Sequence, residues 1–99
     1  MPAKAILHLM LLGASFAAGC GGRRATREDC LQIFHRLVDL ELEERGFRDP
    51  SLAARRRAEA ERTHAADVAA CEGKRMPRAA MECVRAATTS EEISHRCFD

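Results

Sequence analysis

The chain has 99 residues, 16 basic against 15 acidic side chains, four Phe, and neither Trp nor Tyr. That length allows one small domain, in which a hydrophobic core alone gives marginal stability. A balanced charge argues against nucleic-acid binding, which needs a net basic surface to displace counterions from phosphate, and so few aromatics leave little surface on which bases stack.

The chain opens with a short positive segment, Met1 to Lys4, followed by an apolar run from Ala5 to Ala18 broken only by His8, Gly13 and Ser15. Roughly 20 apolar residues are needed to span a hydrocarbon core, so this run reads as a targeting signal rather than a permanent anchor. It ends in Ala17-Ala18-Gly19-Cys20. Small residues before a cysteine at the end of such a run resemble the lipobox of a bacterial lipoprotein signal peptide, with Ala17 where that motif usually carries Leu. The resemblance covers only about the first 20 residues. It implies cleavage before Cys20, a diacylglyceryl group on the Cys20 thiol and acylation of the new amino terminus. Ordinary signal-peptidase cleavage after Ala18 or Gly19 is the alternative. With Gly21 rather than Asp after the cysteine, the resemblance implies the outer membrane rather than the inner. The expected organisation is a signal peptide over 1–19, a lipidated tether over 20–25 and a helical domain over 26–99. In the tether, Gly21 and Gly22 confer flexibility, and Arg23 and Arg24 sit near lipid headgroups if Cys20 is acylated.

Thr26-Arg27-Glu28-Asp29 has the form of a capping box with Asp in place of Glu, which places a helix start at Thr26. Cys30, Ile33, Phe34, Leu37, Val38 and Leu40 then recur at three- and four-residue steps and define one apolar face. Gly46 should stop this helix, with Phe47 folding back on Leu42 in a Schellman motif; a partner-binding tip is the other reading of Phe47. Asp49 and Pro50 have the N-cap and first-turn chemistry of a second helix, expected to run to about Glu72. Its apolar face is thin, since Leu52 and Val68 are its only large aliphatic residues. Glu41, Glu43 and Glu44 near one helix end and Arg55, Arg56 and Arg57 near the next helix start both oppose the macrodipole. A hairpin about Arg48-Asp49 would let the two clusters compensate one another, while a phosphate or lipopolysaccharide contact is the functional alternative for the arginines. Gly73 is a C-cap, Pro77 opens a third, short helix carrying Met81, Cys83 and Val84, and Thr88 or Thr89 caps a last one in which Ile93 and Cys97 share a face. No strand-like alternation appears, so the fold expected is all-α: a disulfide-stapled helical hairpin with two short C-terminal helices.

Assigning Cys20 to lipid leaves Cys30, Cys71, Cys83 and Cys97, and four cysteines in a small exported chain read as two disulfides. Up-down-up-down tracing puts Cys30, Cys71 and Cys97 near one end of the bundle and Cys83 about one and a half turns up the third helix. Pairing Cys30 with Cys71 and Cys83 with Cys97 joins positions nearly symmetric about predicted turns; Cys30 with Cys97 and Cys71 with Cys83 also fits. His64 and Cys71 lie two turns apart on one helix face, and His95 is two residues from Cys97, so a Cys/His metal or small-ligand site can be drawn, although the spacings are not those of zinc motifs. His35 is expected on a solvated helix flank. No CxxC, CxxCH, nucleophile-elbow, Walker or HExxH pattern occurs. The reading is therefore a small envelope lipoprotein, anchored through Cys20, acting by non-catalytic contact with an envelope protein or a second copy, without cofactor or nucleic acid. A metal or small-ligand binder using Cys and His is the alternative.

Overall fold

The computed structural model describes residues 22–98; the expected signal segment and Cys20, the expected lipidation site, lie outside them. Five helices and one widened final turn follow in order: α1 (Arg27–Glu44), α2 (Pro50–Thr63), α3 (Ala65–Cys71), α4 (Arg78–Ala86), α5 (Ser90–Glu92) and a π-helical turn (Ile93–Cys97). No strand forms among the described residues, and the fold is all-α.

Helix α1 starts where its sequence says it should. The Asp29 amide donates to the Thr26 hydroxyl at 3.1 Å, and the Thr26 amide donates back to the Asp29 carboxylate at 2.9 Å. This reciprocal box satisfies two amides that have no intrahelical partner. At the other end the Phe47 amide donates to the Leu42 carbonyl and the Gly46 amide to the Glu43 carbonyl, with Gly46 at φ +82°. That is the complete Schellman pattern, and it needs a residue tolerant of the left-handed region at position 46. Asp49 then accepts from the Ser51 amide at 2.9 Å and Pro50 opens α2.

Helix α1 is the axis, flanked on one side by α2 and α3 and on the other by α4, α5 and the final turn. The buried cluster joins Cys30, Ile33 and Leu40 of α1 to Val68 of α3, Met81 and Val84 of α4, and Ala25, Met76, Ala87 and Ile93. Helix α2 contributes no buried residue. Of the apolar face read for α1, Phe34, Leu37 and Val38 stay half-buried, because the short flanking helices cannot enclose an 18-residue rod about 27 Å long.

Three expectations are corrected. The second helix does not run unbroken to Glu72 but bends at His64, whose φ is −106°. Thr63 and His64 are weak helix formers, and the bend brings Val68 into the core at 1% exposure and Cys71 against Cys30. Arg23 and Arg24 are not a flexible tether: Ala25 donates to the Lys74 carbonyl, Gly73 to that of Ala25 and Met76 to that of Arg23, making an antiparallel bridge between Arg24 and Arg75. Cys97 does not sit at the Cys30–Cys71 end. Helix α4 runs parallel to α1, Ser90 reaches Glu44 at the far end, and the π turn comes back only as far as Cys83.

Candidate interaction site: the open flank of α1

Helix α2 is docked on α1 by polar contacts more than by apolar ones. Arg57 makes a two-bond fork to Asp39 at 2.6 and 2.8 Å. Near the base of the hairpin, His35 Nε2 lies 2.6 Å from Glu61, and the His64 ring stacks on Phe34 with centroids 5.5 Å apart. Asp39 with Arg57, and His35 with Glu61, are each equidistant in sequence from Arg48, so both pairs report a single antiparallel register. That register explains two further differences from expectation. His35 is a half-buried bridge and not a solvated side chain. Among the described residues Glu41, Glu43 and Glu44 make no ion pair with the arginine run, although Glu41 lines the seam with Arg56 and Glu43 with Arg57; Arg57 is taken by Asp39, Arg56 pairs with Glu59 of its own helix and Glu44 accepts from Ser90. The hydrogen bond from Arg57 to Asp39 holds the guanidinium pKa above its ordinary value.

With so little buried, the α1–α2 seam is open on both sides. One groove of about 560 Å³ has Val38, Leu42, Phe47, Leu52 and Ala60 along its floor and Glu41, Arg45, Arg56 and Glu59 on its rim. On the opposite side a smaller groove, about 340 Å³, also includes Leu42 and Phe47, together with Pro50 and Ala53. Phe47 closes the Schellman turn and yet remains 50% exposed. The turn spends the residue's backbone, and its ring is left to solvent. The rim carries two acids and two bases, so the groove is apolar in the middle and neutral at the edge.

The opposite flank is closed. Arg36 Nη2 donates at 2.6 Å to the Ala87 carbonyl beyond α4, and the Thr89 hydroxyl accepts from the Glu92 amide to start α5. The Thr88 hydroxyl, donating to Glu92, holds that carboxyl below the usual carboxylate range. Cys83 is bonded to Cys97 and Cys30 to Cys71. At the base, Asp29 is 9% exposed; its carboxylate accepts from the Thr26 amide and, in a fork of two 2.8 Å bonds, from Arg23, which together depress its pKa.

Comparison with known proteins finds no family model, no curated protein and no solved structure that matches this chain. The residues of the drawn Cys/His site are dispersed: Cys71 and Cys97 belong to different disulfides, His64 is held by Phe34 and Asp67, and His95 lines a shallow surface with Glu91 and Glu92. Among the described residues no three His, Cys, Asp or Glu side chains come together as a metal site, and no helix is long and apolar enough to cross a membrane. The thin apolar face of α2 and the exposed Phe47 are the sequence signals for this surface, read as a face left for a partner helix or a second copy; that they open as two grooves along the α1–α2 seam came only with the tertiary structure.

Proposed function

We propose that this chain is a small envelope lipoprotein, held to the membrane through acylated Cys20, that acts by contact with an envelope protein or a second copy and not by catalysis. The observation that carries the contact role is the α1–α2 groove, in which Phe47 is exposed and Leu42 and Leu52 stay only half-buried on a domain this small. A contiguous apolar strip rimmed by polar residues suits a helix laid into it. The anchoring role is supported by the run from Ala5 to Cys20 and by the direction of the chain. Residue 22 enters at the Arg23 end of α1, and the groove lies toward the other end. Two or three acyl chains give stable membrane attachment where one does not.

Intact mass of the protein extracted from membranes, before and after reduction, tests the anchor. The expected mass is that of residues 20–99 plus acyl chains, rising by four hydrogens when the two disulfides open. A mass without lipid refutes the anchor. Sedimentation and cross-linking through a photoreactive residue at position 52 test the contact. A chain that stays monomeric and cross-links to nothing in the envelope refutes that role.

A further inference from the structure

Two basic dipeptides, Arg23-Arg24 and Lys74-Arg75, 51 residues apart in sequence, are joined at the base of the molecule. Arg24 and Arg75 face one another across the antiparallel bridge, while their neighbours Ala25 and Met76 are both 6% exposed and belong to the core. Residues paired across a bridge project to the same side, and alternate residues to the other. The two arginines therefore stand side by side on the outer surface, an arrangement that costs stability when nothing neutralises it. The fold supports that arrangement. Arg24 Nη1 donates to the Gly73 carbonyl at 2.9 Å, and a Cβ on Gly22 would come within 3.1 Å of Arg75 Nε. Gly22, at φ +59°, thus leaves room for the Arg75 side chain to lie across the backbone. Arg78, also exposed, opens α4 three residues after Arg75. Arg23 is paired with Asp29, and Arg27 approaches Glu72 at 3.6 Å. Arg24, Arg75 and Arg78 have no carboxylate within ion-pair distance among the described residues.

We infer that Arg24 and Arg75, with Arg78, form a docking surface for an anionic lipid bilayer, with headgroup phosphates in place of the carboxylates these side chains lack. Paired guanidinium groups match phosphate in charge and in hydrogen-bond geometry. The choice of a bilayer as occupant rests on the proposed anchoring, because this patch begins four residues after Cys20. On that surface the patch sets the base against the headgroups and directs the α1–α2 groove away from them.

The test is a lipid titration of the unacylated full chain with vesicles of phosphatidylcholine alone or with about one-third phosphatidylglycerol. The ratio of the two half-saturating lipid concentrations isolates charge, since the apolar N-terminal segment contributes to both. Each basic residue at an anionic surface strengthens binding by about fivefold, so the full chain should prefer anionic vesicles by at least about tenfold at low salt. R24E/R75E should abolish the preference. R55E/R62E, with the same net charge changed on α2, should keep it within about threefold, as expected for residues remote from the patch. R24Q/R75Q replaces the reversal if the first variant loses helicity by circular dichroism. Absence of a preference in the unsubstituted chain overturns the inference, as does equal loss in the two charge-matched variants. Failure of the anchor would appear in the mass measurement and leave this ratio unchanged.

Discussion

The two flanks of α1 are built from similar lengths of chain and are held in different ways. On the α4–α5 flank, Met81, Val84 and Ile93 are each about 2% exposed or less, and a disulfide closes α4 onto the final turn. On the α2 flank nothing is buried along 14 helical residues, and the contact rests on one arginine fork, one histidine bridge and one ring stack. The first flank supplies the domain's cohesion. The second is a surface that has been kept in place without being filled, and the Cys30–Cys71 disulfide holds it at its root. Cohesion and availability for contact have been assigned to opposite sides of one helix.

The largest expected effect on this asymmetry comes from cutting that root. Closing the loop between Cys30 and Cys71, 41 residues apart, contributes roughly 4 kcal/mol on the chain-entropy estimate. C30A/C71A should therefore lose most of the helical signal near physiological temperature in a thermal melt; a variant that melts within a few degrees of the unsubstituted chain would mean that α2 and α3 dock without the staple. Next in size is a paired truncation across the two flanks. Leu40 is fully buried, and L40A should cost about 3 kcal/mol. Leu52 is half-buried on the open flank, and L52A should cost less than about 1 kcal/mol. Equal losses in denaturant unfolding would erase the distinction between the flanks.

Asp29 gives a smaller, pH-dependent effect at the base. Its depressed pKa means that its contribution is present above the unfolded carboxylate value of about 3.9 and is lost as pH falls through the folded value. D29N should cost about 1 kcal/mol at neutral pH, as loss of a cap does, and its difference from the unsubstituted chain should close in strongly acidic solution. A difference that persists undiminished there would assign the loss to packing. The least effect is expected at the Asp39–Arg57 fork, whose side chains are 23% and 41% exposed. D39A should cost below about 1 kcal/mol, while hydrogen exchange along α2 should speed up and exchange in α4 should not. Acceleration in both helices would show that the flanks open together.

Much of this could be read from residues close together in the chain. The Thr26–Asp29 box, the Gly46 stop, the Asp49-Pro50 start and the Gly73 turn are local chemistry, in which each side chain or φ angle acts within a few residues of itself. The all-α class and the thinness of α2 follow from helical periodicity and the count of large aliphatic residues. The bend at His64, the Asp39–Arg57 register, the return of Cys97 only to Cys83 and the meeting of Arg24 with Arg75 came from the tertiary structure. Each depends on which of several geometrically acceptable partners also lets Val68, Met76 and Ile93 reach one core. Burial is a property of the whole assembly, so no local pattern could have chosen among them.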